Sequence, residues 1–412
     1  MTVMILGGDN RVSLRRLIDS GTRVHSVVTD PPYGLVSVQK RFGKEGSAAA
    51  RTDGNDGSFA RLSGGFMGKA WDGTGIERDP EFWRLIWEIL LPGGYVFAFS
   101  GSRTGHWQAC AMEQAGFIMH PMHGWLFGSG FPKAHAADKA IDKMLGVEGL
   151  KGAVRGSSGS KRNSMAGDFA GGDYHDYVTA TPEAAQWEGW AYGTQAQKPA
   201  LEPIYLGQKP FSEKTGAANL LKHGVGAVNI DGCRVPSESS RPLVISDRRS
   251  GNNTYSDGLQ GSKAVEGGTN LGRHPANLIH DGSAEVIELF PDSKGQQGAV
   301  RGDSGSAARF FHTFPPDTDP IFYHPKAGKL DRAGSKHPTV KPIALMQYLI
   351  RHITPPGGTV LDPFAGSGTT AEAARREGFD CILMEAEPDY VEFLKGRFPE
   401  PDWAAAAAAM LL

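Results

Sequence analysis

The stretch that most limits how this chain can fold is Thr29-Asp30-Pro31-Pro32-Tyr33-Gly34, which follows the apolar run Val24-His25-Ser26-Val27-Val28 and stops it. The run reads as a short buried strand. Two consecutive prolines can neither donate to a strand ladder nor enter a helix, so the strand ends in a stiff turn. Such a turn holds the Asp30 carboxylate and the carbonyls of Thr29, Asp30 and Pro31 at a strand's C-terminal edge, where open α/β sheets place their ligands. A carboxylate, a fixed carbonyl and a projecting ring suit one task, gripping the amino group of a planar base. The oxygens accept its two hydrogens while Tyr33 stacks on its face. Alone, the stretch reads equally well as a plain loop, since Asp and Pro are ordinary turn formers.

A second stretch shifts the balance. Gly358-Thr359-Val360-Leu361-Asp362-Pro363-Phe364-Ala365-Gly366-Ser367-Gly368-Thr369-Thr370 runs strand, glycine turn and then helix, with Ala371 to Glu377 as the helix. Gly366 and Gly368 let the backbone approach a ligand closely, and the helix start offers free N–H groups. The next strand, Phe379 to Met384, ends in Glu385. An acid about 20 residues past such a turn is placed for a ribose hydroxyl pair. A nicotinamide-binding enzyme shares that spacing.

Together the two stretches resemble the amino-group DNA methyltransferases that use S-adenosylmethionine, in the permuted order, called the beta group, where the catalytic motif precedes the cofactor motif. A third match, His337-Pro338-Thr339-Val340-Lys341-Pro342, lies just before the glycine turn, as in that family. The resemblance covers roughly residues 3–130 and 322–400. It implies a Rossmann-like α/β fold: a mostly parallel, seven-stranded methyltransferase sheet, circularly permuted, with a large inserted target-recognition region. The implied divisions are a catalytic half at 1–129, including a mobile loop at 35–70, an insertion at 130–322, a cofactor half at 323–403 and a tail at 404–412. It implies that Asp30, Pro31, Pro32 and Tyr33 hold the target base. S-adenosylmethionine would be bordered by Asp9, Thr339, Lys341, Asp362, Phe364, Ala365, Gly366, Ser367, Gly368 and Glu385.

With 412 residues the chain can bury a large core, and its formal charge of −2 announces no nucleic acid, so any DNA contact must come from local clusters. Its three cysteines, Cys110, Cys233 and Cys381, lack CxxC spacing, which supports neither a disulfide framework nor a metal site and fits a reducing cytosol. No signal segment or membrane-length apolar run is present, so a soluble intracellular protein is expected.

Taken in order, Val3 to Leu6 is a strand leading to Gly7-Gly8-Asp9-Asn10 and a helix over Ser13 to Asp19. Asp9 reads as a helix cap or, by resemblance, as the acceptor of the cofactor's adenine amino group. Residues Gly34 to Gly68 carry no apolar period, and a long loop leaving the catalytic turn reads as a lid that orders over DNA, with Lys40, Arg41, Lys44, Arg51 and Arg61 for phosphates. Asp79 to Leu90 is an amphipathic helix, which Pro92-Gly93-Gly94 ends. Strand Tyr95 to Phe99, helix Gly105 to Ala115 and strand Phe117 to Trp125 follow, an alternation that predicts a parallel sheet. Resemblance nominates Trp125 for packing the base; core packing is the alternative.

From Gly128 to about Phe322 the chain is dense in Gly, Ser, Pro and Asn. Gly152 to Ser160 recurs with one substitution as Gly298 to Ser306, two copies being too few for a solenoid. Lys161-Arg162, Arg248-Arg249, Arg273-His274 and Arg309-Phe310-Phe311-His312 could meet phosphates, or simply be solvated. The family places target recognition in this region. Beyond it, Ile343 to Ile353 reads as an amphipathic helix.

The resemblance implies methylation of adenine N6 in double-stranded DNA, with the base flipped out of the stack. Asp at position 30, where cytosine-directed relatives often carry Ser, favours adenine. N4-cytosine methylation is the nearest rival. A catalytically silent DNA-binding module, or methylation of RNA or a protein amide, stands further off. Beta-group relatives are often dimers, which implies a homodimer here, while a partnered restriction endonuclease is left open. Neither a Walker loop nor a short-spaced acidic metal site points to a helicase or nuclease.

Overall fold

The computed structural model describes residues 1–34, 74–130, 132, 134–157, 162–164, 167–169, 173–193, 195–236, 241–246, 262–269, 272–293, 305–314, 329–335 and 340–399. It divides into two units, one of Met1–Pro31, Glu77–Ser129 and Leu201–Leu412, the other of Pro32–Ile76 and Gly130–Ala200. The expected loop at 35–70, Thr339, the tail at 404–412 and most of the second Gly298–Ser306 copy lie outside the described residues.

The first unit is built on one sheet. Its strands are β1 (Val3–Gly7), β2 (Val24–Thr29), β3 (Leu90–Phe99), β4 (Ile118–Leu126), β5 (Leu201–Gln208), β6 (Leu278–His280), β7 (His312–Thr313), β8 (Thr359–Asp362) and β9 (Asp380–Glu385), in the order β1-β9-β8-β2-β3-β5-β4-β6-β7. All neighbours run parallel except β5, which is antiparallel to both β3 and β4. The expected mostly parallel α/β sheet therefore forms, and two short strands, β6 and β7, extend its seven longer ones at one edge. The permuted order is visible in the sheet itself: β8 and β9, from late in the chain, lie between β1 and β2.

Tyr95 to Phe99 are buried without a break, the mark of a strand covered on both faces. The covering helices include α1 (Asn10–Asp19), α2 (Pro80–Ile89), α3 (Gly105–Gln114), α4 (Ile343–Ile353), α5 (Thr369–Glu377) and α6 (Pro388–Arg397). Helix α2 starts where its residues dictate, with Asp79 accepting from the Glu81 N–H at 3.0 Å and Pro80 at the first position. Helix α4 buries Ile343, Leu345, Met346, Leu349, Ile350 and Ile353, each worth about 1.5–3 kcal/mol when removed from water.

Two expectations shift. Pro92-Gly93-Gly94 does not separate helix from strand: β3 begins at Leu90, opposite Val24, and pairing resumes at Ser26 with Tyr95, so the segment is a bulge. A Cβ on Gly94 would lie 2.9 Å from the His25 carbonyl oxygen, which explains the glycine. The insertion is also narrower than 130–322, because β5, β6 and β7 belong to the main sheet. Ile204 is fully buried in β5 and Ile279 in β6, and the surrounding Gly and Pro had hidden both strands.

The second unit carries a helix, Ala137–Met144, and short antiparallel pairs, Leu150–Ser157 with Asp173–Val178 and Arg162–Ser164 with Gly167–Phe169. Asp142 ties it together, accepting from Tyr177 Oη at 2.8 Å, the Ala180 N–H at 2.9 Å and Thr181 Oγ1 at 2.6 Å. Among the described residues no helix is long and apolar enough to cross a membrane.

Candidate active site

Strands β1, β9, β8 and β2 are consecutive neighbours, and each ends in or just before an acid: Asp9, Glu385, Asp362 and Asp30. Parallel strands put all four on one edge, the place where such sheets bind ligands. Their surroundings differ, and so does what each can do.

Asp9 is exposed and caps α1, one oxygen accepting from the Arg11 N–H at 2.8 Å. Beside it Gly8 has φ 104°, and nothing lies within 4 Å of where its Cβ would stand, so a bound group could come against the backbone there. Glu385 accepts from the Gly366 N–H at 2.8 Å and the Glu387 N–H at 2.9 Å, and burial raises its pKa. The carboxylate thus bridges strand end and glycine turn.

Asp362 faces inward. It accepts from Thr29 Oγ1 at 2.7 Å, the Phe364 N–H at 3.0 Å and Thr370 Oγ1 at 2.5 Å, stitching β8 to β2 and to α5. Burial pushes its pKa up to about 6 against those hydrogen bonds. Its reach is spent on the turn itself. Phe364 packs on Phe82 with ring centroids 5.3 Å apart, the Ala365 N–H donates to the Met384 carbonyl at 2.9 Å, and the Ser367 carbonyl accepts from Arg397 at 2.7 Å. Gly366 and Gly368 have φ of 52° and 78°, and a Cβ on Gly368 would stand 2.6 Å from Leu394 and 2.7 Å from Phe398. The turn is therefore fixed from behind by α6.

Asp30 differs again. Its Oδ2 accepts from Lys341 Nζ, while Oδ1 is buried and has no hydrogen-bond partner among the described residues. Lys341, which the resemblance sets beside the cofactor, is 5% exposed in its side chain, 3.8 Å from Glu202 Oε2 and 4.8 Å from the Phe99 ring centroid. Burial lowers its pKa, and the Asp30 and Asp362 carboxylates oppose that. Pro31 is buried at the end of the first unit. Pro32, buried, and Tyr33, half-buried, open the second unit's share of the chain, followed by Gly34 at φ 57°.

Glu202 and Thr29 were missed as site residues. An acid at the head of the apolar run Leu201–Gln208 was the available signal for the first, and the hydroxyl directly before Asp30 for the second. Trp125 is 1% exposed and edge-on to Phe99, so the core reading holds for it. Two arginines of the basic clusters are engaged within the fold: Arg273 is buried over Phe310, and the half-buried Arg309 donates to the carbonyls of Gly305, Ser306 and Ser293. His312 shares a hydrogen bond of 2.7 Å with the Cys233 carbonyl. Among the described residues no group of three or more His, Cys, Asp or Glu is arranged for a metal.

Residues 260–396 match a family model described as DNA methylase. The type II methyltransferase M.HindIII of Haemophilus influenzae is 25% identical over 390 residues, 90% of this chain and 87% of that protein. The type II methyltransferase M2.DpnII of Streptococcus pneumoniae is 41% identical over 69 residues, 17% of this chain, so that the match spans about a quarter (26%) of that relative's length. Among solved structures, the M1.HpyAVI–SAM complex aligns with a TM-score of 0.40 at 14% identity, covering 96% of this chain and 100% of that one. The cytosine-N4-specific PvuII DNA methyltransferase aligns at 0.40 and 15% identity, covering 100% and 93%. At these scores the structural alignments carry no residue correspondence.

Proposed function

We propose that the chain is an N6/N4 amino-methyltransferase of the DNA methylase type, as the match over residues 260–396 and the likeness to M.HindIII support, and that it methylates the N6 amino group of adenine in double-stranded DNA. S-adenosylmethionine, when bound, supplies a methyl group on a positively charged sulfur that departs with the electron pair of the broken C–S bond.

The residues fit that cofactor. Glu385 stands at the second strand end behind the glycine turn, where a ribose hydroxyl pair is received, and Asp9 stands beside the open space at Gly8.

The observation that carries the reading is Asp30 Oδ1, a buried carboxylate oxygen with no partner among the described residues. Buried acceptors are ordinarily paired, so an orphan at a ligand-binding edge is an acceptor kept for a ligand. Asp30 takes one hydrogen of the target amino group and the Pro31 carbonyl takes the other, which turns the nitrogen lone pair away from the base's ring system and toward the methyl carbon. The N–C bond forms, and the nitrogen then sheds one proton to water. Because that proton leaves afterwards, alignment rather than a strong base is what the chain supplies. Reaching the amino group inside a duplex requires flipping the base, at a cost of a few kcal/mol. The aspartate at position 30, where cytosine-directed relatives often carry Ser, favours adenine.

Tritiated methyl transfer into unmethylated genomic DNA, followed by nucleoside analysis, tests this with Asp30→Ala alongside. Labelled N6-methyladenine that disappears in the variant is the expected result. Label in N4-methylcytosine moves the target to cytosine, and no label in DNA overturns the reading.

A further inference from the structure

We propose that Lys341 and Glu202 are positioning residues that act through Asp30: the Lys341 ammonium, held between the two carboxylates, fixes Asp30 with Oδ2 occupied and Oδ1 presented to the amino group being methylated. This deepens the proposed function and rests on it.

The topology makes the arrangement. Asp30 follows β2, and Glu202 opens β5, two strands away across β3. Neighbouring strands lie about 4.8 Å apart, so these two positions are separated by roughly 10 Å of sheet. Because β5 runs against the others, its beginning lies on the edge where they end. One long side chain from the segment before α4 spans the gap, its Nζ over the Phe99 ring, donating to Asp30 and 3.8 Å from Glu202. Charged groups facing that ammonium among the described residues include Asp30 after β2, Glu202 on β5 and Asp362 at the end of β8. All three carry carboxylates, and Asp362 already accepts from Thr29, Phe364 and Thr370.

Chemistry follows from the geometry. A carboxylate rotates freely about its last bond, and either oxygen of an unpaired Asp30 could meet the base. An ion pair to one oxygen removes that freedom and leaves a single acceptor in a fixed direction. The cluster holds one positive charge against the paired carboxylates Asp30 and Glu202, a net negative site next to the nitrogen that becomes positive as it is methylated. Without Lys341 the largely buried carboxylates Asp30 and Glu202 lose the positive charge between them, and like charges disfavour ionisation of both. Without Glu202 the buried ammonium loses one of the charges that keep it protonated.

The experiment compares wild type, Lys341→Met, Lys341→Arg and Glu202→Gln for S-adenosylmethionine affinity by calorimetry and for kcat against pH on unmethylated duplex. Lys341→Met is expected to lose about 100-fold in kcat, the scale of a small misplacement, with its acid limb moved to higher pH and cofactor affinity kept. Lys341→Arg recovers part of the loss. Glu202→Gln moves the alkaline limb about 1 pH unit lower, the scale of one lost neighbouring charge. A Lys341→Met protein that binds cofactor far more weakly while keeping the wild-type pH profile overturns the proposal, and so does a Glu202→Gln profile that overlays wild type. A double-mutant cycle of Asp30→Asn and Lys341→Met on thermal unfolding reads the pair without catalysis, and additive effects there also overturn it. Wild type that transfers no methyl to DNA defeats the function instead, leaving the thermal cycle to judge the ion pair on its own.

Discussion

At Asp362 the fold decides the charge. Its folded pKa of about 6 lies above the ordinary 3.8, with burial as the leading cause. The sign follows: this group's contribution to stability is complete below pH 3.8 and is lost as pH rises through about 6. At about 1.4 kcal/mol per unit the full swing is roughly 3 kcal/mol. Asp362→Asn keeps an acceptor for Thr29 and Phe364 and removes the titration, so the variant should gain on wild type between pH 4 and pH 6 in thermal melts and the difference should level off above that. A difference that stays constant with pH rules the argument out. Gly368→Ala meets two obstacles, the left-handed backbone and a Cβ 2.6 Å from Leu394. It should cost roughly 2–3 kcal/mol, read as a lower denaturant midpoint. The residue types of this turn were legible in the sequence because Asp, Gly, Gly and Glu recur at a spacing with a mechanism. Which way each acid faces was not, since spacing alone cannot distinguish Asp362, which accepts from Thr29, Phe364 and Thr370, from Asp30, with one oxygen open among the described residues.

Among the elements, α4 shows how far periodicity goes. Its bounds, Ile343–Ile353, were read directly from the apolar pattern, yet the pattern said nothing of what its far end meets. There His352 packs edge-on to Phe97, His123 and Tyr348. Burial drags the pKa of both His123 and His352 down to about 4, each pulled further by a neighbouring histidine. A lowered folded pKa gives stability that is present above 6.5 and lost as pH falls through about 4, the opposite sense to Asp362. His352→Leu should therefore move the acid-unfolding midpoint about 0.5–1 pH unit lower, followed by near-ultraviolet circular dichroism. An unchanged midpoint would show that the helix end does not hold neutral histidine. Strand β5 marks the limit of legibility in the other direction: its eight residues sit in a segment whose Gly and Pro content reads as irregular, and only its pairing with both β3 and β4 makes it a strand.

The whole molecule is governed by where β8 and β9 go. They are interior strands, paired on both sides, yet they come from the last part of the chain. A fragment of residues 1–335 lacks both, leaving β1 and β2 without their intervening partners, so it should show no cooperative thermal transition. Adding residues 336–412 as a separate chain should restore one, and a cooperative melt of the shorter fragment alone would refute this account. The motif order was legible and implied this permutation, whereas the division into two units was not, since the second unit draws on two separated stretches. The hydrogen bond from Thr29 to Asp362 joins residues 333 apart, and at about 5–20 residues per second a ribosome needs roughly twenty seconds to a minute to make that much chain. During that interval β2 exists without β8, and Asp30 without its lysine. The nascent chain cannot complete this edge of the sheet until residues as late as Asp362 have been synthesised, so assembly of the site is timed by translation.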